Sequence, residues 1–297
     1  MTAVLESRAL SKQYGRRRAL TDCTLSIPAG RIAGLVGPNG AGKTTLLNLA
    51  VGLLAPTSGT IEVLGALPAS SPKQLGRVGF LAQDTPVFSS LTVADHLKLG
   101  AHMNPRWDAG LARRRIDEVD LDPRQRAGKL SGGQRAQLAL TLAIAKRPEY
   151  LILDEPVASL DPLARREFLQ GLMKAAVEHE LNVLISSHLV ADLERVCDYL
   201  IVLLDSRVHL AGDLDNLLTS HRVLTGPRCD TSGLPASWQV ISASHTDRQS
   251  TLLVRTTHPI TEPAWTVDQI GMEDLVLAYM SNAASTPRRN RTLEVQR

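Results

Sequence analysis

The chain has 297 residues, 43% hydrophobic and 21% charged, enough for one sizeable core and a second, smaller unit. Its 33 basic and 30 acidic residues leave a formal charge of +3, which supplies no global pull towards nucleic acid, although TPRRNRTLEVQR (286–297) is locally basic and reads as a solvated tail. Cys23, Cys197 and Cys229 are too few and too scattered for a disulfide framework or a paired-cysteine site, and the eight histidines show no zinc spacing, so a reducing compartment is expected.

The opening MTAVLESRALSKQYG carries a glutamate and no apolar stretch of signal-peptide length, which points to a cytoplasmic protein. Strand-like LSI and a turn at Pro28–Gly30 follow, and SGTIEVLG (58–65) resembles a further strand bounded by glycines; together these predict a small antiparallel piece. RIAGLVG leads into KTTLLNLAVGLL, YLILD into PLARREFLQGLMKAAVEH, and LNVLISS into LVADLERVC, with YLIVLLD after that. Continuous apolar strands separated by amphipathic helices predict an α/β core whose sheet is mainly parallel and covered on both faces. Residues from about 85 to 145 look helical and interrupt that alternation as an inserted subdomain would. Beyond about 215 the pattern thins, and STLLVRTT and EDLVLAYM suggest a small appended α+β unit over 216–297. YLIVLL (199–204) and LALTLAIA (138–145) fall far short of the ~20 residues of a membrane-crossing helix, so any membrane role passes through a partner.

GPNGAGKT (37–44) fits G-x-x-x-x-G-K-[ST] through Gly37, Gly42, Lys43 and Thr44, with an apolar strand before it and a helical pattern after it. Glycines let the main chain wrap an anion, and the helix that follows presents free N–H groups and the positive end of its dipole. Lys43 can then reach the outer phosphates of a nucleotide and Thr44 can hold magnesium. Ligands of open α/β sheets bind beyond the carboxyl ends of the strands, where YLILDEP delivers Asp154 and Glu155 and NVLISSH delivers His188. An acid fixed by a buried strand suits a magnesium partner, and Glu155 beside it suits a water-activating base; a capping pair is the plain alternative. His188, Gln83 and Tyr14 are weaker signals, since such residues more often have structural or surface roles. KLSGGQRAQLALTLAIA (129–145) is a second glycine-lined helix mouth, with Ser131 as its N-cap and Gly132 and Gly133 leaving amides bare.

GPNGAGKTT, LSGGQ, LILDEP, SLD and SSH, in this order over residues 3 to 215, resemble the ATP-binding cassette (ABC) family, closest to the bacterial drug and antibiotic exporter type. The resemblance implies an α/β P-loop NTPase core over 1–215, with an antiparallel β subdomain and a helical subdomain at about 85–145. It implies ATP and Mg2+ as ligands, a head-to-tail pair of cassettes, either a homodimer or this chain with a second ABC ATPase, and a separate integral membrane permease. Tyr14 would stack on adenine, and Gly37, Pro38, Asn39, Gly40, Ala41, Gly42, Lys43, Thr44 and Thr45 would hold the phosphates. Thr44, Gln83 and Asp154 would serve the metal, Glu155 would be the base, and His188 would contact the γ-phosphate. Leu130, Ser131, Gly132, Gly133 and Gln134 of one copy would face the nucleotide of the other, and Asp161 would communicate between copies. VASLDP (157–162) departs from the commoner family wording before Leu-Asp without touching either acid. GMEDLVLAYM (271–280) is similar to the last helix of many exporter ATPases, so export is the expectation, with import kept as the alternative. A soluble cassette working on ribosomes or DNA usually joins two cassettes or carries a long coiled coil, and neither is seen, so no nucleic acid partner is expected.

Overall fold

Alternating burial along the second strand turns one face of the first sheet inward. The structure, a computed structural model, describes residues 3–84, 87–230 and 233–285; the basic segment 286–297 lies outside the described residues. Strands β1 (Ala3–Tyr14) and β2 (Arg17–Pro28) pair antiparallel, and Cys23, Leu25 and Ile27 turn inward while Thr24 and Ser26 stay exposed. β3 (Ile32–Val36) and α1 (Lys43–Ala50) follow, and β4 (Ser58–Val63) returns to β1, giving a three-stranded antiparallel sheet. After α2 (Pro72–Arg77) and β5 (Val78–Leu81) come three helices, α3 (Val93–Met103), α4 (Ala109–Glu118) and α5 (Gly132–Ala145).

Each of these helices starts on a side-chain cap: Thr92 with Asp95, Asp108, and Ser131 with Gln134. They close over a small core of their own that includes Val93, Ile116, Leu121, Leu130 and Leu138. Then β6 (Tyr150–Asp154), α6 (Pro162–Glu178), β7 (Asn182–Ser187), α7 (Val190–Glu194), β8 (Tyr199–Leu204) and β9 (Arg207–Asp213) complete the first unit.

The main sheet runs β5-β6-β7-β3-β8-β9, parallel throughout except for the last pair. Every residue of β6 and β8 is buried, which is why these strands read as unbroken apolar runs. Their register decides where function can sit. Val36 pairs with Ser187 and Asp154 with Ser186, so β3, β6 and β7 end together at one edge.

The chain divides into two compact units, Met1–Leu214 and Asp215–Arg297. In the second, α8 (Leu214–Ser220) precedes β10 (His221–Pro227), β11 (Gln239–His245), β12 (Gln249–Arg255) and β13 (Thr266–Asp268), and α9 (Met272–Ser285) follows them. The strands form an antiparallel sheet in the order β11-β12-β10-β13 around Leu224, Trp238, Leu252 and Val254. His221 is wholly buried there: its Nδ1 donates to the Leu217 carbonyl at 2.7 Å, which leaves Nε2 to accept from the Tyr279 hydroxyl at 3.0 Å.

Burial lowers the His221 pKa below 6.5, with the Leu217 bond opposing and the Arg255 charge assisting. The unfolded chain therefore takes up a proton that the folded unit refuses, and stability falls as pH drops below the unfolded value of about 6.5. Thermal unfolding of the full chain is expected to show the second unit melting at a lower temperature at about pH 5.5 than at about pH 7.5, and His221→Leu is expected to flatten that difference.

Candidate active site

The turn between β3 and α1 is built by steric exclusion. A side chain at Gly37 would meet the Leu203 carbonyl at 2.2 Å, and one at Gly42, which has φ 111°, would meet the Ala19 carbonyl at 2.4 Å. Gly42 is the N-cap of α1, and no side chain caps it, nor does an acid occupy the first turn. The first amides of this helix are thus left for an anion. Lys43 is only 5% exposed; its Nζ donates to the Gly37 carbonyl at 2.8 Å and lies 3.5 Å from that of Pro38. The Pro38 carbonyl also accepts from the Ala41 N–H, which closes the loop on itself.

The acids arrive from β6. Asp154 is 2% exposed and its Oδ1 accepts a 2.7 Å bond from the Ser186 hydroxyl. Glu155, in the left-handed region at φ 45°, is held from two sides: Lys43 Nζ is 3.2 Å from its Oε1, and His188 Nδ1 is 2.9 Å from its Oε2. The phosphate-loop lysine, the second acid and the histidine therefore form one chain of polar contacts. They line a cavity of about 610 Å3 together with Tyr14, Arg17, Asn39, Gly40, Gly42, Thr44, Thr45 and Gln83. Tyr14 ends β1 at the rim, 46% exposed, with Lys12 Nζ 5.3 Å from its ring centroid. Thr44 and Gln83 bring neutral oxygens to this cavity, hard donors that suit magnesium when phosphates and water complete its shell, whereas Asp154 is not among its lining residues.

The second glycine-lined mouth is elsewhere. Ser131 Oγ accepts from the Gln134 N–H at 3.2 Å while Gln134 Oε1 accepts from the Ser131 N–H at 3.0 Å, so this serine and glutamine close a reciprocal cap. Ser131, Gly133 and Gln134 line a separate cavity of about 500 Å3 that shares no lining residue with the first. Gly133 has a packing duty as well, because a Cβ there would fall 2.8 Å from that of Ala164 on α6. A Cβ on Gly132 would meet nothing closer than Leu160 at 3.8 Å. Leu130 is buried in the helical core. Asp161 lines neither cavity; its Oδ1 accepts from the Leu163 and Ala164 N–H groups and caps α6.

Two residues of the site carry no separate signal in the sequence. Arg17 belongs to a run of three arginines and gains its place only when the hairpin sets its Nη2 3.4 Å from where a Gly40 Cβ would stand. Ser186 reads as the first serine of SSH, and its role depends on the register with β6. The thiols stand apart from this chemistry: Cys23 and Cys197 are buried, and burial pushes Cys197 up to about 12.

The family model described as ABC transporter matches residues 20–158. YxlF of Bacillus subtilis, an ABC transporter ATP-binding protein, is 34% identical over 226 residues, 72% of this chain and 72% of that protein. The chain belongs to the ABC transporter ATPase family. The cassette is thus an ATP-binding subunit of a transporter and an ATPase. Thiamine import ATP-binding protein ThiQ of Salmonella choleraesuis is 36% identical over 66% of this chain and 86% of its own. Nod factor export ATP-binding protein I of Cupriavidus pinatubonensis is 34% identical over 74% and 69%. Among solved structures, an ATP-binding subunit of an ABC transporter superposes with a TM-score of 0.65 at 28% identity, over 73% of this chain and 92% of that one. No helix among the described residues is long and apolar enough to cross a membrane.

Lys43→Ala removes the one buried cation among the described residues that line the first cavity. Equilibrium binding of a fluorescent ATP analogue is expected to weaken by at least about tenfold, the scale of one charge-assisted contact; unchanged affinity would contradict the cradle.

Proposed function

We propose that this cassette binds ATP-Mg in the Lys43 cavity and hydrolyses it once a second copy, packed head to tail, closes over the γ-phosphate with its own Ser131, Gly132, Gly133 and Gln134. The observation that carries this is the separation of the two helix mouths into distinct cavities of one chain. Both are anion-receptive, yet a single copy does not present them to the same ligand.

In this scheme Tyr14 stacks on the adenine and the loop from Gly37 to Thr45 wraps the phosphates. Incoming phosphates compete for Lys43 and draw it from Glu155. That exchange frees a carboxylate already poised on His188, and Glu155 then orients an attacking water and accepts its proton. His188 holds the Glu155 carboxylate and meets the γ-phosphate, and Asp161 relays closure between copies from the start of α6. Thr44 and Gln83, with Asp154 in support, would hold magnesium, which would supply charge neutralisation at the phosphates.

Closure and reopening of the pair drive a separate permease, which places the cassette on the inner face of the membrane through that partner. A docking place is supported beside β5, where the segment around 80–99 begins. An apolar cavity of about 480 Å3 there is lined by Leu53, Leu75, Phe80, Leu81, Met103 and Leu142, of which Leu53 and Met103 are strongly exposed.

Export is favoured by architecture. The aligned region is 69% of the Nod factor export protein and 74% of the bacitracin transport protein BcrA of Bacillus licheniformis, so each, like this chain, has about a quarter or more of its length outside the match; in the thiamine import protein it is 86%. In this chain the α9 helix belongs to the second unit. Import remains the second reading on the 36% identity to the thiamine protein.

Glu155→Gln is expected to bind ATP, to lose hydrolysis by roughly a hundredfold or more, and to elute as a dimer in gel filtration with ATP and magnesium. Elution as monomer alone would count against the shared site.

A further inference from the structure

Two adjacent serines end β7 and divide their labour. Ser187 Oγ accepts from the Leu189 N–H at 2.9 Å and donates to the Leu189 carbonyl at 3.1 Å, so it shapes the turn that carries His188. Ser186 faces the other way. Its hydroxyl is wholly buried and makes two bonds, both to the acid pair on β6: it donates to Asp154 Oδ1 at 2.7 Å and accepts from the Glu155 N–H at 2.9 Å. The parallel register pairs Ser186 with Asp154 directly, which is why one short side chain reaches both groups.

The demand for such a group comes from Glu155. Its main chain leaves the strand at φ 45°, a left-handed conformation that an L side chain adopts only when its surroundings enforce it. The Glu155 N–H can only donate, and Asp154 Oδ1 here accepts. A hydroxyl between them satisfies both at once, because it has one proton to give and lone pairs to receive with.

We propose that Ser186 is a positioning residue for ATP hydrolysis, pinning the Glu155 main chain and the Asp154 carboxylate together so that base and metal support keep one fixed spacing. It rests on the roles given above to Glu155 and Asp154, and it adds a buried residue that does not line the cavity.

Threonine and valine at this position differ by a hydroxyl against a methyl of nearly equal volume, so Ser186→Thr and Ser186→Val share any penalty of added bulk. The Val variant is expected to fall roughly 10- to 100-fold below the Thr variant in kcat, the scale of a small misplacement of a catalytic group, with KM for ATP within about threefold. Binding of a non-hydrolysable ATP analogue without magnesium is expected to match in the two variants. Its strengthening by added magnesium is expected to be smaller in Val, because Asp154 has lost its donor. In the Glu155→Gln background the Thr and Val forms are expected to show equal residual hydrolysis. Equal kcat and equal magnesium response for Thr and Val, with Glu155→Gln inactive, would overturn the Ser186 assignment alone. Wild-type hydrolysis by Glu155→Gln would instead overturn the role of Glu155 on which it stands.

Discussion

The parallel pairing of β3, β7 and β6 is the constraint on which the rest of the first unit depends. Ile32 to Val36 lie beside Val183 to Ser187, and Tyr150 to Asp154 lie beside Asn182 to Ser186, so the three carboxyl ends stop at one level. The strands are held there by burial on both faces, and Leu35, Ile152, Leu184 and Ile185 are wholly excluded from water. A slip of one residue would turn alternate side chains to the opposite face and would carry Ser186 away from Asp154. The chemistry is attached to those ends: the phosphate loop to β3, the two acids to β6, and His188 to β7.

What this edge gathers is a balanced set of charges in a poorly solvated place. Lys43 and Glu155 have side chains 5% and 10% exposed, so neither ion is well served by water alone. Each answers the other, and His188 supports the far oxygen of the carboxylate. Breaking such a pair without replacement leaves a buried charge uncompensated, which is costly. In the proposed scheme a triphosphate would give Lys43 its new partner, and the uncapped amides at the start of α1 would share the load. Coupling of nucleotide entry to release of Glu155 in that proposed scheme thus follows from electrostatics rather than from any large movement.

Legibility in the sequence followed locality. The phosphate loop, the fully buried strands β6 and β8, and the Ser131 N-cap are set within a few residues, so pattern alone exposes them. The long hairpin of β1 and β2 showed only as LSI, because register shifts at several points between Ala3 and Gln13 break the alternation of inward and outward residues. The short edge strand β5 offers just Val78 to Leu81, too little for periodicity to separate from a turn. Arg17 and Ser186 acquire meaning only across strands, and the need for glycine at Gly133 arises from α6, some thirty residues on. The sheet of the second unit was visible mainly through STLLVRTT, since its other strands are short or mixed in polarity.

The central claim is that one copy supplies the cradle and another supplies the serine-capped amides over it. A mixing experiment tests this most directly: Lys43→Ala, which keeps an intact Ser131 mouth, is combined with Ser131→Arg, which keeps an intact phosphate loop, and ATP hydrolysis is followed as their ratio is varied. Each variant is predicted to be inactive by itself and the mixture to recover activity with a maximum near equal amounts, since only the mixed pair contains one complete site. A mixture that stays as inactive as its components, although gel filtration shows the two chains paired, would contradict the account.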